Sequence, residues 1–424
     1  MDSLNVLKNK LESGAFEADF SRLYAEDAPL QQARYKKTLS AFRNAFPKQR
    51  EAAFFSAPGR SEIGGNHTDH QLGRVLAAAV TMDMIAVAAK TEDRRVCIHS
   101  EGYAPLIVDL TDLSVNPHEK NTSQALVRGI AAQLRTLGYT IGGFEAVITS
   151  NVPKGSGLSS SAAYSILIGS IFSGLYNAME ISPVVLAQVS QFAENAYFGK
   201  PSGLMDQLAA SVGGFVAIDF QDQSQPVIES LNCDLDALGY AICIVDARGS
   251  HADLTPEYAA IPNEMRSVAA YFGKRVLREV EPERFFAEIG ALRKQVSDRA
   301  ILRAIHFFEE NERVLPLAQA LREKDMKTVI ALMNASGASS FMQLQNVCPT
   351  GASERSLALA LAISARLLSG RGAWRVHGGG FAGTIQALMP KEDAVAYCTE
   401  MESVFGKGCC YRLSVRPVGG VMLE

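Results

Sequence analysis

The segment Pro153-Lys154-Gly155-Ser156-Gly157-Leu158-Ser159-Ser160-Ser161-Ala162-Ala163 constrains this chain more than any other. It follows a strand-like stretch, Phe144 to Thr149, and feeds a long helix of small and apolar residues, Ser160 to Asn177. A helix start carries unpaired N–H groups and the positive end of the macrodipole, and glycines let the backbone come close to an anion. The spacing therefore predicts a strand, a phosphate-holding loop and a buried helix in succession. It is not the GxxxxGK[ST] loop, because Lys154 precedes the glycines and nothing basic opens the helix. Taken alone, the same residues also suit a plain helix cap.

Around this segment the chain reads as strands and helices without regular βαβ spacing, which favours α+β over a doubly wound sheet. Ser3 to Phe46 has the periodicity of amphipathic surface helices. A strand over Ala52 to Ser56 is expected to stop at Ala57-Pro58-Gly59, before a polar loop from Gly64 to Gly73. Val75 to Ala89, interrupted by Asp83, reads as an interior strand. Helices are expected over Ser123 to Leu137, Pro183 to Asn195 and Gly203 to Val212, and a strand over Phe215 to Phe220. The polar loop Gln221 to Gln225 then suggests a domain boundary, giving residues 1–225 and 226–424. The second half opens on a strand, Tyr240 to Asp246, continues through several helices, and ends with strands at Trp374 to His377 and Gly383 to Leu388.

Composition narrows the partners. A net charge of −4 offers no basic footprint for a nucleic-acid backbone. No stretch reaches the roughly 20 uninterrupted apolar residues of a bilayer crossing. Seven scattered cysteines with no CxxC pair, and a charged start after Met1, point to reduced thiols and a cytoplasmic protein.

Two further segments suit a polyol site. In Gly65-Asn66-His67-Thr68-Asp69-His70, His67 and Asp69 stand two apart. In an extended loop they would point one way, offering a donor and an acceptor at hydroxyl spacing; an Asx-type turn is the plainer alternative. Asp206 sits between Gly203-Leu204-Met205 and Leu208-Ala209-Ala210, apolar surroundings in which a charge needs a partner.

Together these motifs resemble those of the GHMP kinases. Pro153 to Ala163 is similar to the family's phosphate motif, PxGxGLSSSAA. Ala57-Pro58-Gly59-Arg60 with Gly65 to His70 resembles the galactokinase-type first motif, APGRVNLIGEHTDY. Val376-His377-Gly378-Gly379-Gly380-Phe381-Ala382-Gly383 resembles the third. The resemblance implies a two-domain α+β fold. Its N-terminal domain would be like the ribosomal protein S5 domain 2-like fold, its C-terminal domain ferredoxin-like, with the active site in the cleft between them. It implies ATP and Mg²⁺ as cofactors and phosphorylation of a hexose at the anomeric C1 hydroxyl, galactose being the default. Asp206 would face that hydroxyl with Arg60 beside it. Asn66, His67, Asp69, Gly203 and Tyr258 would hold the sugar, although Tyr258 also suits a structural role. Gly155, Ser156, Gly157, Leu158, Ser159, Ser160 and Ser161 would hold the nucleotide phosphates. Ser160 and Glu194 would hold the metal, and Gly378, Gly379 and Gly380 would shape the sugar and phosphate region. The partners would be a small sugar and ATP, with no nucleic acid or membrane, on a monomer or weak homo-oligomer.

The largest departure from the pattern is Asn66, which replaces the usual glutamate; Glu62 also stands where an asparagine is usual. A neutral Asn66 would tolerate a substrate carboxylate, and His67-Thr68-Asp69-His70-Gln71 resembles the HxDHQ pattern of uronic-acid kinases, so a hexuronate is the alternative substrate. Tyr258 is the galactokinase-like choice. A catalytically silent sugar sensor is a third reading; retention of Ser159 to Ser161, Arg60 and Asp206 speaks for an enzyme.

Overall fold

The computed structural model describes residues 1–153, 155–200, 202–249 and 254–423. Its spine is a pair of long antiparallel strands, Glu51–Gly64 and Arg74–Lys90, in a nine-stranded sheet. Side chains alternate across a strand, so near-continuous burial along both strands means that both faces are covered. Ala53, Phe55 and Ala57 face the helices Ser123–Thr136, Ser160–Tyr176 and Pro183–Phe192. Ala52 and Phe54 face the three N-terminal helices, Leu4–Ser13, Glu17–Tyr24 and Ala28–Ala45. The small residues of Ser160–Tyr176 let it lie close to the sheet: a Cβ on Gly174 would stand 2.6 Å from the Phe55 ring.

The first strand does not stop at Ala57-Pro58-Gly59. It continues to Gly64 through register shifts between Pro58 and Arg60 and between Glu62 and Gly64. Bulges accommodate a proline that has no N–H for the ladder, so Pro58 re-aims the strand without ending it. Arg60 and Glu62 are consequently strand residues and not loop residues.

The loop Gln221 to Gln225 is a hairpin turn, because Phe215–Asp219 pairs antiparallel with Val227–Leu231. The change to the second sheet falls later, between Leu231 and Tyr240, and Val421–Met422 returns to pair with Phe55 and Ser56. Neither sheet group is therefore one continuous half of the chain, and the boundary at 225 is displaced. A polar five-residue stretch has the same composition in a turn as in a linker.

The second sheet has the spatial order Ala373–Val376, Thr384–Pro390, Tyr240–Asp246, Cys410–Leu413, antiparallel throughout. Helices Ser356–Leu368 and Ala394–Phe405 cover one face. The other face, with Ile242, Ile244 and Leu388, packs with residues of Asp298–Glu323 and Met326–Ser339 and with Ile63, Leu76 and Val80 of the first sheet. One core thus spans the seam between the sheets. No helix among the described residues is long and apolar enough to cross a membrane.

Asp83, the charge within the interior strand, is fully buried. Its carboxylate accepts hydrogen bonds from the Tyr24 hydroxyl (2.7 Å), Arg34 Nη1 (2.5 Å), Arg416 Nη1 (3.2 Å) and the Ser56 hydroxyl. Arg416 is equally complete, donating also to Ser56 Oγ, Ser56 O, Val418 O and Gly419 O. Burial pushes the Asp83 carboxyl up, but Arg34 and Arg416 outweigh it and the net shift is downward.

Candidate active site

The phosphate loop runs along the seam. Ser159 has a left-handed backbone (φ 54°) at the start of Ser160–Tyr176, and its side chain makes no cap hydrogen bond to that helix. The helix start also lacks an acidic first turn, so its N–H groups are uncapped. Gly157 has φ 72°, and a Cβ there would stand 2.8 Å from His377 Nδ1. A Cβ on Gly59 would stand 2.7 Å from Leu158 O. These two glycines are required because the first strand meets the loop backbone at Gly59 and the His377 imidazole packs against the loop at Gly157. Lys154, within the loop, and Pro201, near Asp206, lie outside the described residues.

The Ser159 hydroxyl is turned away from the helix and donates to Asp206 Oδ2. Asp206 stands in the first turn of Met205–Val212. The partner expected for it is present: Arg60 Nε and Nη2 lie 2.8 and 2.6 Å from Oδ1. Arg60 Nη1 donates to Gly157 O, and its backbone N–H to Leu158 O (3.1 Å). One guanidinium therefore ties the carboxylate to the phosphate loop, a fork that lysine could not supply.

Glu194 lies in a short π-helix, Ala193–Phe198, that continues Pro183–Phe192. The wider turn sets its carboxylate against the phosphate helix, where Oε1 accepts from the Ser161 hydroxyl and Oε2 from Gln207 Nε2 (3.0 Å). Ser161, and not Ser160, is the serine hydrogen-bonded to Glu194; Ser160 lines the same cavity.

At the other end, His67 is not extended. It has φ 59° and is followed by a 3₁₀ turn, Asp69–Gln71, so His67 and Asp69 come together through a turn and not through strand alternation. His67 Nε2 donates to Gly379 O (3.1 Å); burial lowers its pKa to about 4, leaving the imidazole neutral. The Asp69 carboxyl is raised to about 6, by burial first and then by the nearby Asp206 and Glu62. A Cβ on Gly203 would stand 2.6 Å from Asp69 Oδ2, so only glycine leaves that oxygen its place.

Asn66 is 1% exposed. Its amide donates to Glu62 Oε1 (3.0 Å) and Gly378 O (2.8 Å), while its oxygen accepts from Asn346 (3.0 Å) and Ser340 (3.4 Å). Every hydrogen bond that an asparagine side chain can offer is thus used within the protein. Behind it, His306 Nε2 donates to Asn66 O (2.9 Å) and Glu310 accepts from the N–H groups of Gly65 and Asn66 (3.0 and 3.3 Å). The carbonyls of the third loop are pinned by the same set: Gly378 by Asn66, Gly379 by His67 and Asn346, Gly380 by the Tyr258 hydroxyl (2.9 Å). Tyr258 buttresses this loop and does not line the cavity.

Two connected hollows result. One, of about 240 Å³, is lined by Arg60, Glu62, Asn66, His67, Asp69, Gly203 and Asp206 among others. The second, of about 270 Å³, is lined by Gly155, Gly157, Leu158, Ser159 to Ser161 and Glu194 among others. They share Arg60, Lys200, Asp206, Gly378 and Gly379. Ser156 lies beside the second hollow, its carbonyl accepting from Thr384 (3.0 Å). Sequence reasoning did not find Lys200, an exposed residue six positions before Asp206, nor the buried polar set Arg375, His306, Glu310 and Asn346, whose residues lie far apart along the chain.

This geometry agrees with comparisons to known proteins. Residues 125–214 match the GHMP kinase N-terminal domain. The fold superposes on galactokinase of Lactococcus lactis, solved with galactose, at TM-score 0.76 and 24% identity, covering 90% of this chain and 98% of that one. It also matches mevalonate kinase of Methanococcus jannaschii (TM-score 0.62, 16% identity, 86% and 98% coverage). A D-glycero-D-manno-heptose 1-phosphate kinase of Bacteroides thetaiotaomicron matches as well (0.57, 14%, 88% and 99%). The fold is thus that of the GHMP kinases, and residues 40–90 match the galactokinase galactose-binding signature.

Proposed function

We propose that the protein transfers the γ-phosphoryl group of ATP to the C1 hydroxyl of a neutral hexose, converting galactose to galactose 1-phosphate. The observation that carries this reading is the position of the Asp206–Arg60 pair, shared by a hollow lined with sugar-type donors and acceptors and one lined by an uncapped helix start.

Phosphoryl transfer asks for in-line positioning, charge neutralisation and a group that receives the nucleophile's proton. Asp206 accepts the C1 hydroxyl and takes its proton as the O–P bond forms, while the γ-phosphate to β-phosphate bond breaks and ADP leaves. Arg60 holds the carboxylate in place and stands beside the transferring group. Ser159, now on Asp206, is free to turn to the phosphates when nucleotide binds. Glu194 with the hydroxyls of Ser161 and Ser160 presents hard oxygen donors of the kind Mg²⁺ takes, so the residues present suit that ion. When bound, the metal would neutralise charge on the nucleotide phosphates.

A coupled assay of ATP consumption over a panel of hexoses, pentoses and hexuronates tests the proposal. Galactose is expected to be turned over, and Asp206→Ala to lose at least about 10³-fold in kcat. A wild-type protein that binds sugar and consumes no ATP with any of them would make it a sensor.

A further inference from the structure

Glu62 lines the sugar-side hollow yet has no part in the scheme above. It is 4% exposed. Its Oε1 is doubly occupied, by Arg375 Nη2 (2.6 Å) and Asn66 Nδ2 (3.0 Å). Its Oε2 accepts from no described residue. Arg375 is fully buried, its Nε and Nη1 have no partner among the described residues, and it holds Glu62 by a single contact. That oxygen is not sealed inside the protein but reaches the hollow, where a ligand hydroxyl can take the place of water as its donor.

The neighbours define that ligand. Asp69 and Asp206 line the same hollow, so three carboxylates face it together, against Arg60, whose guanidinium is held by Asp206 and Gly157 O, and Lys200 at the junction with the second hollow. Asn66, fully committed to protein partners, has no free donor with which to receive an anion. Groups that mainly accept hydrogen bonds call for a neutral molecule rich in hydroxyls, whereas a ligand carboxylate would add a fourth negative charge. Positions 62 and 66, two of those at which the first motif departs from its family pattern, are themselves hydrogen-bonded to each other. Carboxylate and amide have exchanged places, and the carboxylate still reaches the hollow.

We propose that Glu62 Oε2 accepts a sugar hydroxyl and is the residue that selects a neutral hexose over the corresponding hexuronate. This rests on the sugar-kinase reading above.

Titration calorimetry without nucleotide, using galactose and galacturonate as probes, reads the proposal separately from catalysis. Wild type is expected to bind galactose at least tenfold more tightly than galacturonate. Glu62→Gln is expected to weaken galactose at least tenfold and narrow that ratio. Should that variant not fold because Arg375 loses its counter-charge, Glu62→Gln/Arg375→Met removes both charges and is read in the same way. Galactose binding unchanged in the folded variant, or tighter wild-type binding of galacturonate, overturns the assignment while the kinase reading stands. Galactose binding that depends on Glu62 in a protein that phosphorylates no sugar upholds the assignment and overturns the kinase reading.

Discussion

Asp83 and Glu62 are buried carboxylates on the same pair of strands, each facing arginine, and they are finished differently. Asp83 has donors on both oxygens, and Arg416 has a partner on every nitrogen. Glu62 has one occupied oxygen and an arginine with two orphaned nitrogens. The titration behaviour follows: burial is outweighed at Asp83, whose carboxyl is lowered, and wins at Glu62, whose carboxyl is raised in spite of Arg375. A saturated ion cluster joins elements of structure. An unsaturated one bordering a hollow is poised for a ligand.

The contrast can be broken first at Asp83. Asp83→Ala leaves Arg416 and Arg34 facing a void, and a loss of about 3–5 kcal/mol is expected in urea unfolding, with the sugar KM unmoved in whatever folds. Because the folded carboxyl is lowered, this stability is full above the ordinary carboxylate range and is lost as pH falls through the folded pKa. Acid unfolding should therefore begin earlier in variants of Arg34.

Glu62→Gln should also destabilise, by roughly 2–4 kcal/mol, since it strands the Arg375 charge. Adding Arg375→Met should recover most of that loss, because deleting a whole buried pair is nearly neutral, yet sugar affinity should stay low. No single second change can do the same for Asp83, where two arginines converge. Recovery of affinity along with stability would erase the distinction.

A smaller effect comes from Asp69. With its carboxyl raised to about 6, it is mostly protonated at pH 5 and ionised at pH 7. Sugar affinity should rise about tenfold over that interval if the ionised oxygens receive hydroxyls, and Asp69→Asn should flatten the profile, as calorimetry across pH would show. The imidazole of His67, at about 4, stays neutral throughout and adds nothing to the slope. The least effect is expected at Lys200, exposed where the two hollows meet. Lys200→Ala should raise the KM for ATP about threefold to tenfold, more at low ionic strength than high.

The parts of the site built locally could be read from the sequence. Gly155 to Ser161 is one continuous loop and helix start, and Asp206 called for a partner by its apolar neighbours alone. What escaped depends on contacts between segments distant in sequence. The motif resemblance gives Asn66 to the sugar, whereas its side chain is enclosed by Gly378, Ser340 and Asn346, which lie 312, 274 and 280 residues away. The His67–Asp69 alternation failed because a left-handed residue and a 3₁₀ turn intervene, and the period-2 rule holds only for extended backbone. Pro58 misled for a similar reason: its chemistry marks a turn or a bulge equally well, and pairing with Asp83 selects the bulge.

Arg416 stands 333 residues beyond Asp83. A ribosome moving at roughly 5–20 residues per second needs about 20 to 70 s to cover that interval. Throughout that time the nascent first sheet holds Asp83 without its second arginine, and Ser56 and Phe55 await the strand that will pair with them. The early sheet thus waits, incompletely closed, on a segment translated much later.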